Sequence, residues 1–494
     1  MSPQRSAIAI LRNAALGALT LVLFAGGCKV GPNYKTPSAA IAPSFHEQPG
    51  ETPPPPAPGV GWKHAQPGDD KIRGKWWEAY GDPQLNALEE RVTVSNQTLK
   101  VALAEYTQAR AAVQQFRSQY FPTVSIAPAY SRNSLSANRP FGTPVRGSRY
   151  TDITASGQAT WEPDLWGSIR RTVQQSRENA QASAADLANV DLSLRSELAM
   201  DYFELRGQDT QKQLLDDTIQ QYQRFLQLTI SRFHGGVATE GDVAQAQTLL
   251  DQTTAQDIDV EVARAQFEHA IATLTGQPAS TFSLAPAPLT LTLPTLPVGV
   301  PSEMLERRAD VAAAERRAAA ANEQIGIAIS AYYPQLNITG TGGFESFRPG
   351  NLLQGPSSLW SLGGSATELL FDAGRRHALT TEARAAYDAQ VANYRETVLQ
   401  SFQDVEDQLA ALSTLNQEAA AQQQTVADAA RFLHISTNQY KAGLAIYLQV
   451  ITAQTTELTN QRTAADITVR QFAASVQLVK ALGGGWDTTQ LPHP

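Results

Sequence analysis

Arg117-Ser118-Gln119-Tyr120-Phe121-Pro122-Thr123-Val124-Ser125-Ile126 returns later in the chain as Ile329-Ser330-Ala331-Tyr332-Tyr333-Pro334-Gln335-Leu336-Asn337-Ile338. In both copies a helical pattern runs into a proline, which stops a helix, and the apolar period then falls from 3.6 to 2. Val124, Ile126 and Tyr130 alternate with Thr123, Ser125 and Ser131. Ile153, Ala155, Gly157, Ala159 and Trp161 alternate with Asp152, Thr154, Ser156, Gln158 and Thr160. In the second copy Leu336 and Ile338 alternate with Asn337, Thr339 and Thr341, and Trp360, Leu362, Gly364 and Ala366 with Ser361, Ser365 and Thr367. This predicts strands at 123–131, 150–162, 335–346 and 358–371, each with one small or apolar face and one hydroxylic face. Such strands fit a membrane β-barrel. Long polar loops, 132–149 and 347–357, join them in pairs.

Outward from these strands the chain is helix of unusual length. Between Gly167 and the Gly235-Gly236 pair lie 67 residues without a proline. Leu187, Val190, Leu194, Leu198, Tyr202 and Leu205, then Leu215, Ile219, Tyr222, Leu226, Ile230 and Phe233, recur in steps of three and four. Unbroken, the segment is about 100 Å long. A second such segment runs from Gly374 to Gly443. Arg232-Phe233-His234-Gly235-Gly236-Val237 matches Gln439-Tyr440-Lys441-Ala442-Gly443-Leu444 at an offset of 207, as do Val243 to Gln247 with Val450 to Gln454 and Gly167 with Gly374. The organisation is therefore duplicated. A first repeat, 76–277, holds a helix, two strands and a long hairpin at 168–275. A Pro-rich connector at 278–301 follows, then a second repeat at 302–483 with its hairpin at 374–482, and a tail at 484–494. The helical pattern of the first repeat opens at Asp82-Pro83, an N-cap followed by a first-turn proline, and continues to about Tyr120.

The N-terminus reads as an export signal over residues 1–27, with Arg5 and Arg12 ahead of an apolar run from Ala14 to Ala25. Leu23-Phe24-Ala25-Gly26-Gly27-Cys28 resembles a lipoprotein cleavage box, in which the cysteine becomes the first residue and carries acyl chains. Ala25 stands where leucine is usual in that motif. Lys29 is not the aspartate that would hold a lipoprotein at the inner membrane. Residues 28–75, with ten prolines between 31 and 67, form an extended tether. The single cysteine excludes disulfides within the chain and cysteine-rich zinc sites. A net charge of −8 without any basic run excludes nucleic acid as a partner. Beyond the leader, no stretch approaches the 18 to 20 apolar residues of a membrane helix, which excludes a polytopic inner-membrane transporter.

Four strands cannot close a barrel, since the smallest filled barrel takes about eight, and an open sheet edge is not tolerated in lipid. The barrel must be shared among protomers, and the long helices must project from it as a cylinder. In this order and over this repeat, the chain resembles the outer-membrane factors, the TolC-type exit ducts of tripartite efflux pumps, in the lipoprotein branch related to NodT and OprM. The resemblance rests on Cys28 with Gly31-Pro32-Asn33-Tyr34, and on Trp76-Trp77 with Asp82-Pro83-Gln84-Leu85 and Asn96. It continues through Arg307-Arg308-Ala309-Asp310-Val311 with Ala314-Glu315, the Phe121-Pro122 and Tyr333-Pro334 strand entries, and Tyr440-Lys441-Ala442-Gly443. It implies a mostly α fold with a membrane β-barrel: a homotrimer with a twelve-stranded barrel, a periplasmic α-helical tunnel, and an equatorial region built from the connector and the chain ends. It also implies outer-membrane lipid around the barrel, docking to a periplasmic adaptor (membrane fusion) protein, and an inner-membrane transporter of the resistance-nodulation-division type. The exit duct of a type I protein-secretion system has the same fold and stays open as an alternative, as does a non-conducting coiled-coil lipoprotein.

Function is expected at the hairpin turns. Gly235 and Gly236, then Gly443, turn the helices at the tunnel tip. With Val243, Gln247, Val450 and Gln454 they are the expected docking surface for the adaptor. By the resemblance, the apolar ring of the tip falls on Leu448, the acidic ring on Thr452 and a basic position on Thr455, so the charged pattern is missing here. Glu240 and Asp242 on the first hairpin are the expected source of negative charge instead. Trp161, Trp166 and Trp360 are expected at the membrane interfaces, and Trp76 and Trp77 in the equatorial region. No His-Glu-x-x-His, Gly-x-Ser-x-Gly or Walker loop occurs, and the seven histidines show no ligand spacing. No enzyme activity, metal or cofactor is expected, apart from covalent lipid on Cys28.

Overall fold

The computed structural model describes residues 29–40, 44–47, 74–136, 149–294 and 307–486. The leader, Cys28, most of the expected tether (41–43 and 48–73), the tip of the first strand loop, the end of the connector with the first residues of the second repeat (295–306), and the last eight residues of the tail lie outside them. A short 3-10 turn at Trp76–Tyr80 precedes α1 (Pro83–Ser95). The Asp82 carboxylate accepts from Gln84 N–H at 2.8 Å, and Pro83 sits in the first turn, where its missing N–H has no partner to lose. The helical pattern that reads as continuous to Tyr120 is broken at Asn96, with φ −62° and ψ 128°. The Asn96 side chain accepts from Leu99 N–H at 2.9 Å and donates to Leu274 O at 2.8 Å, a local alternative to the helix ladder. It thereby starts α2 (Gln97–Arg117).

The order continues as β1 (Thr123–Ser134), β2 (Arg149–Trp161), α3 (Ser168–His234), α4 (Glu240–Leu274), α5 (Ala309–Ser330), β3 (Gln335–Ser346), β4 (Ser358–Thr367), α6 (Arg375–Lys441) and α7 (Tyr447–Ala481). Helices α6 and α7 repeat α3 and α4 at the same offset, 207, at both ends, with lengths of 67 and 35 residues in each hairpin. The starts of α2 and β1 instead return in α5 and β3 at an offset of 212. From the start of α2 to the end of the hairpin, and from α5 onward in the second repeat, the five-residue difference in offset lies in the second strand of each pair and its flanking connections. Strand β4 ends at Thr367 rather than 371; continued through Leu369, Leu370 and Phe371, it would place apolar side chains on the hydroxylic face as well. The chain there leaves the sheet and Asp372 caps α6, accepting from Gly374 N–H and Arg376 N–H, each at 3.1 Å. Strand β1 runs past 131 to Ser134, which pairs with Arg149.

The sheet is an antiparallel meander, β1-β2-β3-β4. Its register sorts the side chains. Val124, Ile126 and Tyr130 lie opposite Ala159, Gly157 and Ile153. Ala159 and Gly157 in turn face Gly340 and Gly342, which face Leu362 and Trp360. The other face carries Ser125, Gln158, Thr341 and Ser361 in one row, and Thr123, Thr160 and Thr339 in the next. Val124, Ile126, Leu362 and Trp360 are exposed, so nothing among the described residues covers the apolar face.

Along the helices, α3 packs against α1, α2, α4, α5 and α7, and α6 against α5 and α7. The largest core joins Trp76, Trp77 and Tyr80 to Leu85 and Leu88 of α1, Leu198, Tyr202 and Phe203 of α3, Ile271 of α4, and Phe472 and Val476 of α7. The ring of Phe203 lies 4.7 Å from Phe472 and 5.0 Å from Tyr80. Leu198 to Leu205 lie some 30 residues into α3, about 45 Å from its start. Beside this core, the buried Asp209 carboxylate accepts from Arg206 Nη1 at 2.9 Å, Arg264 Nε at 2.6 Å and Ala287 N–H at 2.9 Å. It thus ties the α3–α4 hairpin to the connector.

Candidate functional site

At the far end of the hairpins the two turns share a backbone design. Val237 N–H donates to Arg232 O at 2.9 Å, and Leu444 N–H to Gln439 O at 2.8 Å, closing each helix with a six-residue loop. Gly236 and Gly443 take φ of 73° and 77°, a region that excludes most side chains, whereas Gly235 at −78° does not need to be glycine. The restarts differ. Helix α4 opens on a capping box: Thr239 Oγ1 accepts from Asp242 N–H at 3.1 Å, and the Asp242 carboxylate accepts from Thr239 N–H at 2.8 Å. Asp242 is therefore committed to starting the helix, and Glu240 is the exposed carboxylate of this turn. Helix α7 opens without a side-chain cap, on an apolar tip where Leu444 is 81% and Ile446 70% exposed.

The two hairpins pack against each other behind this tip, through Leu226, Ala246, Tyr440, Tyr447 and Val450. The Arg232 guanidinium lies 4.5 Å from the centre of the Tyr440 ring, and its Nη1 donates to Lys441 O at 3.3 Å. This is a link from the end of α3 to the end of α6. Leu448, Thr452 and Thr455 are all exposed on one face of α7, and Thr452 Oγ1 donates to Leu448 O at 2.9 Å. Two expected docking residues are corrected: Val450 and Gln454 are buried between the hairpins rather than presented outward. Their spacing is that of an inter-hairpin seam, which repeat equivalence alone does not distinguish from a shared outer surface. Val243 is half-buried in the same seam. Gln247 is exposed and donates to Asp251 at 2.8 Å.

At the other end, Trp161 Nε1 donates to Tyr120 O at 3.0 Å. Trp166 donates to Pro334 O at 2.8 Å and stacks on Tyr333 at 4.8 Å. These two tryptophans thus join the strand entries of the two repeats where the long helices begin. Trp360 stands near the opposite end of the sheet, 82% exposed on the apolar face. Among the described residues, no group of three or more His, Cys, Asp or Glu is placed to hold a metal ion, and no helix is long and apolar enough to cross a membrane.

A split sheet with one apolar face, joined to two equal helical hairpins, has known counterparts. The family described as outer membrane efflux protein matches residues 88–277 and 300–484. The chain belongs to that family. Members of this efflux family are channels of the outer membrane, not enzymes, and this chain has their duct fold. It is similar to the solvent efflux pump outer membrane protein SrpC of Pseudomonas putida, at 29% identity over 95% of this chain and 98% of that one. It is similar also to the outer membrane protein OprJ of Pseudomonas aeruginosa, at 27% identity over 97% of each. Among solved structures it resembles the outer-membrane channel OprN, with a TM-score of 0.83 and 27% identity over 93% of this chain and 100% of that one. VceC of Vibrio cholerae follows, with a TM-score of 0.79 and 27% identity over 83% and 99%.

Two features of this efflux-family duct were not visible in the sequence. The Arg232–Tyr440 link joins positions that are not equivalent in the repeat, since Arg232 aligns with Gln439 and Phe233 with Tyr440. Only an unmatched cation and ring beside the turns could have signalled it. The second is Asp201 on α3, whose carboxyl is pushed up to about 7 by burial and by the neighbouring Glu197 and Glu204. The folded state therefore holds this proton more tightly than the unfolded chain does, and stability falls as pH rises from about 4 through 7. Asp201→Asn is expected to raise Tm by about 1 °C at pH 7.5, roughly 1 kcal/mol after solvent screening. It should leave Tm unchanged at pH 4. Equal Tm values for both proteins at both pH values would contradict the assignment.

Proposed function

We propose that three copies of this chain close a twelve-stranded barrel in the outer membrane. Their hairpins form one periplasmic tunnel, which conducts small molecules passively from an adaptor and an inner-membrane resistance-nodulation-division transporter to the cell exterior. The observation that carries this reading is the sheet. Four strands offer an apolar face to lipid and a hydroxylic face to water, while the edges of β1 and β4, unpaired among the described residues, require partners. The chain performs no chemistry; the inner-membrane partner supplies the energy. Acyl chains on Cys28 anchor each protomer, with more than one needed for stable anchoring. The relatives are named for solvent and pyoverdine export, cargoes that share little chemistry, which fits a duct that does not select.

The exposed Leu444, Ile446 and Leu448 are the adaptor-facing apolar surface, and Glu240 contributes negative charge beside it. Opening separates the hairpins of each protomer, so the Arg232–Tyr440 link opposes it. Purified protein is expected to be a trimer by native mass spectrometry, with a small resting conductance in planar bilayers. Arg232→Ala removes the ring contact and the hydrogen bond to Lys441 O. It should raise the open fraction about 10- to 100-fold, equivalent to about 1.5–3 kcal/mol. An Arg232→Ala trimer as closed as the native one would move the gate to Leu448. A monomer, or no channel at all, would sink the duct and revive the non-conducting coiled-coil lipoprotein.

A further inference from the structure

The segment that follows Cys28 is held along its length by side chains of both repeats. Val30 N–H donates to Trp166 O at 3.2 Å, and Val30 O accepts from Arg171 Nε at 2.6 Å. Arg171 is a fully buried cation on α3. Its Nη1 donates to Glu323 Oε2 of α5 at 2.8 Å, and Lys29 Nζ donates to the other oxygen of that carboxylate at 3.2 Å. Asn322 Nδ2 donates to Pro32 O at 3.2 Å. The backbone sits this close because two glycines meet. Gly31 has φ +94°, and a Cβ on it would stand 2.7 Å from Gly326 Cα; a Cβ on Gly326 would overlap the Arg171 side chain.

Farther along, Tyr34 OH donates to Glu315 at 2.6 Å, and Arg395 Nε of α6 donates to Ser38 O at 3.0 Å. Phe45 is buried among Val405 and Leu409 of α6 and Leu478 and Ala481 of α7. The Glu406 carboxylate accepts from the N–H groups of His46 at 2.7 Å and Glu47 at 3.0 Å. From the start of α6 to Val405 is about 45 Å of helix, so the segment runs from the strand end of the helices towards the equator.

A buried arginine–glutamate pair adds little net stability by itself, because desolvation offsets the attraction, but it is costly to break and demanding in geometry. Here the arginine's remaining hydrogen bond goes to a peptide carbonyl, and the surface around it is fitted to a glycine backbone. We propose that Arg171, Glu323 and Gly326 form an internal docking site for the chain's own N-terminus. The site seats Lys29–Pro32 where the long helices leave the barrel, whether or not Cys28 is acylated. The seated strap then braces α3, α5, α6 and α7 against one another. Its consequence for the anchor rests on the lipidation proposed above: the acyl chains are attached one peptide bond from a fixed point on the barrel's periplasmic rim rather than at the end of a free tether.

Limited trypsin digestion of the purified full chain, read by mass spectrometry at the Lys35–Thr36 bond, tests the site. The native protein is expected to be cut there at least about 100-fold more slowly than the denatured chain. Gly31→Val alters only the strap, and Arg171→Met alters its receptor; each should lose at least about tenfold of that protection. Cys28→Ser, exported behind an ordinary cleavable signal peptide, should keep it. Cleavage as fast in the native as in the denatured chain, full protection in Gly31→Val, or lost protection in Cys28→Ser would each overturn the docking site. Protection at Lys35 in a protein that forms no channel would overturn the duct and leave the docking site standing.

Discussion

Gly343→Val is expected to abolish the conducting trimer, while Gly342→Val, one residue away, should leave it intact. A Cβ on Gly343 would press into Ala155 O and lie 2.5 Å from Ser156 Cα, in the seam where β2 of the first repeat pairs with β3 of the second. Those neighbours are backbone, so no rotamer change relieves the clash, and its cost should reach at least about 3 kcal/mol, the upper end for overpacking. The seam recurs three times in the proposed barrel. A Cβ on Gly342 meets nothing within 4 Å, and this glycine belongs to the row with Gly157 and Trp360 that faces lipid. The pair is compared by conductance in planar bilayers and by trimer recovery from membranes. A conducting Gly343→Val trimer would show that the seam yields and that the register drawn here is wrong.

Asp209→Ala should cost about 3–5 kcal/mol, because it leaves two guanidinium groups beside a buried, vacated site. Arg264 keeps Leu284 O and the Glu268 carboxylate, but Arg206 keeps only the neutral Gln84 and Ala285 O and loses the carboxylate it pairs with. At about 1 °C per kcal/mol for a chain of this length, Tm of the purified protein should fall by about 3–5 °C. Arg317→Ala is the contrast. Its partner Asp186 is exposed and so is Arg317, and such a pair is worth at most about 1 kcal/mol. Similar losses for the two variants would mean that the Asp209 network is solvated and that the connector is held by something else.

The architecture was legible because its signals are long. Proline-free stretches ending at Gly235-Gly236 and Gly443 define the hairpins, and alternation such as Ile153 to Trp161 defines strands through a period that helices do not share. What stayed hidden depends on contacts between segments distant in the chain. The break at Asn96 is set by a carbonyl 178 residues away, on Leu274. The same limit applies to the tip, where Val450 and Gln454 match Val243 and Gln247 in the repeat yet are buried, because the two hairpins lean on each other. The N-terminal segment reads as a tether from its prolines, and composition does not reveal that Arg171 and Gly326 are shaped to receive it.

The equal hairpins have a consequence for how such a chain can change length over generations. One residue inserted into α6 but not α3 would lift its end by 1.5 Å and swing it by about 100°. Tyr440 would then leave Arg232, and the two turns would no longer end level. The repeats differ by five residues in the stretch that holds the second strand of each pair and its flanking connections, and by none across 67- and 35-residue helices. Insertions and deletions should therefore be tolerated in the loops at the cell surface and purged from the periplasmic shaft. Lineages would then diversify their outer face while the depth to which the duct reaches stays fixed.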